Sequence, residues 1–249
     1  MGILQVKPAR ITDDYTHSHA GKGVEYQARF TDRPPRALMW QLERELVGNW
    51  LNRLQPRRLL DFACGTGRIA GLAAELTGAE VHGVDVTESM LAVARQEHPA
   101  VTYHLADGRD APRLLGERRF DVATAFRFFA NAEPELRASA AAALASLISH
   151  GGHLIVNNHR SFWSIPYVGQ RLVRRGAQSG ATNREVRDIL VGHGFEVVER
   201  RSLGVWPQTE QRFLGRPGMV ERVERWNLRQ SSGWHVAGYN TVWLLRREG

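Results

Sequence analysis

The segment LLDFACGTGRIA (59–70) constrains this chain more than any other. An apolar, strand-like run reaches Asp61, passes through Ala63-Cys64-Gly65-Thr66-Gly67 and opens into an Ala-rich helix. Small residues at such a junction let the backbone approach a ligand closely and leave helix N–H groups pointing at it. A dinucleotide fingerprint reads G-x-G-x-x-G. Here three small residues, Ala63, Gly65 and Gly67, are spaced by two, and an acid stands two positions before the first.

Around this junction, apolar strand-like runs alternate with helical periodicity. Strands are expected at 57–63, 80–86, 101–107, 120–126 and 153–159, and helices at 67–76, 88–98 and 134–148. That order implies a parallel sheet covered on both faces. Upstream, residues 37–54 read as an amphipathic helix, with Leu38, Trp40, Leu42, Leu46, Trp50 and Leu51 on one face. Downstream come a helix at 183–195 and strands at 196–203 and 241–248. The stretches 160–182 and 204–240 are too long for plain loops and are expected to carry helices. One domain is expected over 1–249, with an N-terminal cap (1–55), a binding core (57–160) and a region of insertions and closing strands (161–249).

In open α/β sheets, ligands bind at the carboxyl ends of the strands. Asp85 ends the second strand, where a carboxylate can accept both hydroxyls of a ribose, and Asp107 ends the third. Each has a plainer reading: Asp85 as a cap of the next helix, Asp107 as a turn residue before Gly108. Cys64 reads as a small filler of the loop, since no His stands near it in sequence.

LLDFACGTG, VDVTESML, LADGRD, FDVATAF and GGHLIVNN, in that order and spacing, resemble the class I S-adenosylmethionine-dependent methyltransferases over residues 57–160. The resemblance implies a doubly wound, Rossmann-like α/β fold with a seven-stranded sheet in the order 3-2-1-4-5-7-6, its last strand antiparallel. It implies S-adenosyl-L-methionine as cofactor. Asp61 and the loop Ala63, Cys64, Gly65 and Gly67 would hold the methionine moiety, and Asp85 with Val86 the ribose. Met90 would lie near the adenine, Ala106, Asp107 and Gly108 would cover its rim, and Phe126 would end the fourth strand beside the cofactor. Ala63 departs from the family's commonest first glycine but stays small. Relatives close an N-terminal helix over the cofactor, so Tyr26 and Arg29 are expected at its carboxylate.

Methyl transfer from a sulfonium is an in-line displacement, and a hydroxyl acceptor also needs a general base. The acceptor side is expected at the ends of the fourth and fifth strands. His159 is the candidate base there, Arg127 the candidate grip for an acceptor phosphate or carboxylate, and Asn131 can orient a water or the acceptor. His17 and His19 have no clear third ligand, so no metal site is expected. Trp163, Tyr167, Trp206 and Phe213 read either as walls of an apolar acceptor pocket or as ordinary core.

The formal charge of +7 raises nucleic acid as a partner, but only Lys7 and Lys22 among the 33 cationic residues are lysine, and 26 acids are interleaved. Scattered arginines of that kind fit compositional bias, and the fourth strand ends ATAFRF rather than in the Asp/Asn-Pro-Pro-aromatic motif of amino-methylating nucleic-acid enzymes. A small-molecule acceptor is therefore expected, most simply a hydroxyl of a sugar, polyketide or other specialised metabolite. A small amine, an RNA or protein substrate, and a non-catalytic cofactor-binding subunit are the other readings. The single cysteine rules out an internal disulfide, and no secretory leader or transmembrane run is visible, so a cytoplasmic monomer or homodimer is expected. The arginines and apolar residues of 212–229 read as a packed lid helix or as a peripheral membrane contact.

Overall fold

The computed structural model describes residues 23–28, 32–159, 181–206, 212–230 and 238–249. Seven strands form one sheet: β1 (Arg58–Phe62), β2 (Glu80–Asp85), β3 (Thr102–Leu105), β4 (Phe120–Ala125), β5 (Ile148–His159), β6 (Phe195–Leu203) and β7 (Asn240–Arg247). Their order is β3-β2-β1-β4-β5-β7-β6, with β7 antiparallel to both its neighbours and the first five strands parallel. This is the Rossmann-like sheet order that the family resemblance implied.

Helices α1 (Gly23–Ala28), α2 (Pro34–Leu54), α3 (Arg68–Leu76), α4 (Glu88–Glu97), α5 (Ala111–Leu115), α6 (Pro134–Leu147), α7 (Asn183–Gly192) and α8 (Pro217–Arg229) lie against that sheet or over its edges. Two buried clusters, one per face, explain the covering. Leu60, Phe62, Phe120, Phe129 and Leu144 belong to one; Leu42, Leu46, Trp50 and Leu51 of α2 pack with Leu59, Leu72 and Leu244 in the other. Each large side chain fully removed from water contributes about 1.5–3 kcal/mol. The strands therefore read as continuous apolar runs because both of their faces are buried.

Local chemistry sets the helix ends. Prolines stand in the first turn of α2, α5, α6 and α8, where the missing N–H costs nothing. Thr182 and Glu185 form a reciprocal capping box on α7. Gln55 ends α2 with a φ of 46°, in the left-handed region. The strand and helix boundaries lie within a few residues of those expected. The main difference is β5, which begins at Ile148 rather than 153, directly after α6, with a register shift against β4 between Phe120 and Val122. Trp40 packs partly buried against the α2 cluster as expected, and the guanidinium carbon of Arg68 of α3 stands 4.6 Å from its ring centre. No helix among the described residues is long and apolar enough to cross a membrane.

Candidate active site

The carboxyl ends of β1, β2, β3 and β4 border one solvent-open cleft. The residues expected at a cofactor converge there: Asp61, Ala63, Cys64, Gly65, Asp85, Val86, Met90, Asp107, Gly108 and Phe126 all line it, as does Arg127. Gly67, Ala106 and His159 are not among the lining residues. Thr66 of the expected loop lines the cleft too, whereas Phe62, Arg68, Ile69, Arg109 and Leu136, which also line it, carried no signal of their own in the sequence.

The loop after β1 takes conformations that small residues permit. Ala63, Gly65 and Gly67 have φ of 54°, 56° and 75°, all left-handed. A side chain at Gly67 would also place its Cβ 2.4 Å from the Tyr103 hydroxyl. Ala63 holds the same region at a steric cost of about 1–2 kcal/mol, which is why glycine is commonest at that place. The loop is then fastened from two sides. Gly65 N–H donates to Asp85 Oδ2 at 2.8 Å, and the Thr66 hydroxyl meets Gln27 Oε1 of α1 at 2.7 Å.

Each acid at a strand end has its own environment. Asp61 is 2% exposed; it accepts the Thr124 hydroxyl at 2.6 Å and the Ala70 N–H of α3 at 3.1 Å. Burial pushes its carboxyl up to about 7, against the pull of those two donors. Asp85 accepts the N–H groups of Gly65 and Thr87 (2.8 Å each) and lines the cleft. Its carboxylate shapes the β2–α4 turn as well as the wall. Asp107 accepts Arg109 N–H and receives both arms of the Arg109 guanidinium, at 3.0 and 2.6 Å, and those bonds hold its carboxyl below the usual range. Asp107 is thus a turn residue and a lining residue together. Gly108 lets the turn close on Phe62, whose ring would stand 2.2 Å from an added Cβ.

Burial pushes the Cys64 thiol well up, so it stays protonated at neutral pH and acts as the small filler expected of it. On the acceptor side, Arg127 follows β4 with a φ of 60°. Asn157 Oδ1 accepts its N–H at 2.6 Å, and Asn131 donates to its carbonyl at 2.5 Å. Its guanidinium stands 3.7 Å from Glu43, a 1% exposed carboxylate that also accepts Asn240 Nδ2 at 2.6 Å. Asn240 accepts from Asn157 in turn, at 3.0 Å. Arg127 therefore belongs to a buried polar network from α2, β5 and β7, which sequence spacing alone does not reveal. His159 ends β5, 8% exposed and opposite Asn240 in the β5–β7 register. Trp206 and Phe213 pack partly buried against the α2 cluster, in keeping with the core reading. His17, His19, Arg29, Arg160, Trp163, Tyr167 and the side chain of Tyr26 lie outside the described residues.

Comparisons with known proteins agree with this geometry. Residues 59–152 match a family model described as a methyltransferase domain. A ubiquinone biosynthesis O-methyltransferase from Alkalilimnicola ehrlichii is 35% identical over 118 residues, 46% of this chain and 46% of that protein. A dTDP-3-amino-3,6-dideoxy-alpha-D-glucopyranose N,N-dimethyltransferase from Streptomyces fradiae is 33% identical over 116 residues, 46% of this chain and 38% of that one. The matches thus span less than half the length of these curated relatives. Among solved structures, magnesium protoporphyrin IX methyltransferase (ChlM) from Synechocystis PCC 6803 with bound SAH gives a TM-score of 0.65 at 17% identity, covering 95% of this chain and all of that one. That likeness is one of fold.

Proposed function

Because the chain carries a class I S-adenosylmethionine-dependent methyltransferase domain, we propose that it moves the methyl group of S-adenosylmethionine to a hydroxyl of a small-molecule acceptor, a sugar, polyketide or other specialised metabolite. The observation that carries the reading is the cleft itself. Asp85 presents a carboxylate at the end of β2, beside a left-handed loop of small residues. Together they fit an adenosine with a charged amino-acid tail. Two small-molecule relatives support the acceptor class: one is named for ubiquinone biosynthesis and one for a nucleotide amino sugar.

Bound there, S-adenosylmethionine supplies a methyl group already activated by its sulfonium. The residues of the chain then bind, align and exclude water. Asp85 takes the ribose hydroxyls, and Met90, Gly108 and Phe62 form the apolar walls for the adenine. Asp61, negatively charged above its raised pKa, faces the cationic tail. We assign the cofactor carboxylate to Arg68. It opens α3 in the cleft wall, and Trp40 backs its guanidinium at 4.6 Å.

For a hydroxyl acceptor, His159 is the base we assign, which requires the acceptor to extend from the cleft past Arg127 toward the end of β5. His159→Gln tests this step: turnover on the acceptor should fall at neutral pH while cofactor affinity stays unchanged. Unaltered turnover across pH would remove the assignment. The Streptomyces fradiae relative favours a second reading, transfer to an amine. An amine bound neutral needs no base, so the same variant then leaves kcat intact.

A further inference from the structure

One surface of the molecule is used neither by the core nor by the cleft. Helix α8 buries Val220, Glu224 and Asn227. Glu224 accepts the backbone N–H groups of Gly204 and Trp206, and Asn227 donates to the carbonyl of Ser202. These bonds fasten α8 across the carboxyl end of β6, at the same end of the sheet as the cleft. The opposite face points to solvent. Met219, Arg222, Trp226 and Arg229 follow one another there at spacings of three and four residues, and the preceding turn adds Leu214 and Arg216.

The three apolar side chains are unusually bare: Leu214 is 58% exposed, Met219 44% and Trp226 54%. The turn that carries Leu214 is shaped by Gly215, whose φ of 135° is closed to other residues, and by the Trp206 indole N–H, which donates to the Leu214 carbonyl at 2.5 Å. Acids are kept off this face. Glu224 is buried, and Glu221 pairs with Arg225, which is itself drawn to Glu45 of α2. What remains is a basic row, Arg216, Arg222 and Arg229, beside an apolar row that includes a tryptophan. A protein partner matched to bare arginines would need acids set among apolar groups. An anionic bilayer offers phosphates above hydrocarbon everywhere, and tryptophan favours that boundary.

We propose that the exposed face of α8 and the turn before it dock on an anionic lipid surface, with Leu214, Met219 and Trp226 entering the headgroup region and Arg216, Arg222 and Arg229 meeting lipid phosphates. The proposal is independent of the acceptor's identity. It is tested by sedimenting the full chain with vesicles of phosphatidylcholine alone and with vesicles in which part of that lipid is replaced by phosphatidylglycerol. Binding is expected to the anionic vesicles only and to weaken with salt. Arg222→Gln with Arg229→Gln should lower the partition coefficient about 30-fold, at about fivefold per surface arginine. Met219→Ser with Trp226→Ser should abolish retention at high salt. Both double variants alter exposed side chains, so unchanged binding of S-adenosylhomocysteine reports an intact fold. No affinity for anionic vesicles, or affinity unaltered in both double variants, overturns the proposal. So does a concentration-dependent dimer that either pair abolishes while vesicle binding is absent, which would assign the face to contact between copies of the chain.

Discussion

The Thr124 hydroxyl donates to Asp61 Oδ1 at 2.6 Å, from the strand next to the one that carries the acid. The bond lies at the floor of the cleft, and the carboxyl it holds titrates at about 7 because burial outweighs the bond.

A pH dependence follows. A cationic ligand tail prefers ionised Asp61, so affinity for S-adenosylhomocysteine should rise from pH 6 to 8 and level off above. Stability of the ligand-free protein runs the other way. The folded pKa lies above the ordinary value of 3.8, so the contribution of this group is present below about pH 4 and lost as pH rises through about 7. Asp61→Asn should flatten both curves, measured by calorimetry and by thermal melts across that range.

Gly67→Ala is expected to lower stability by about 2–3 kcal/mol, from the left-handed φ and from the approach of an added Cβ to the Tyr103 hydroxyl. Ala63→Gly should be close to neutral, since relief of the left-handed cost is offset by chain entropy. Denaturant midpoints of the two variants compare them directly.

The Arg127–Glu43 pair joins the acceptor side to α2. Glu43→Ala leaves a cation and Asn240 short of a buried partner, and should cost about 3 kcal/mol in unfolding experiments. Arg127→Gln should cost less stability, because its side chain is one-fifth exposed, yet should lower kcat/KM for the acceptor.

Arg68→Gln should weaken S-adenosylhomocysteine about 10- to 100-fold, the range of one charge-assisted hydrogen bond. Its affinity for 5′-methylthioadenosine, which lacks the amino-acid carboxylate, should stay unchanged. Equal losses for both ligands would place the carboxylate elsewhere.

The strand ends were legible because a carboxylate that closes an apolar run stands out: Asp61, Asp85 and Asp107 all reach the cleft. The alternation of apolar runs and helices implied a parallel sheet, and the order of its strands came only with the family resemblance. The rest depends on distant partners. Glu43, inside LERELV, reads as a solvent-facing helix acid, and only the arrival of β7 with Asn240 buries it. Arg68 reads as one more arginine among 31 until Trp40 of α2 comes to rest over it. Asp107 shows a local limit, since the ion pair to Arg109, two residues on, completes a turn that the sequence allowed without requiring.

The central claim is that this cleft holds S-adenosylmethionine through the carboxylate at the end of β2. Titration calorimetry with S-adenosylhomocysteine on the wild-type chain and on Asp85→Ala tests it most directly. The account expects one site per chain in the wild type and at least a 100-fold loss in the variant, the range of two charge-assisted hydrogen bonds. No binding to the wild type, or equal affinity in both proteins, would contradict it.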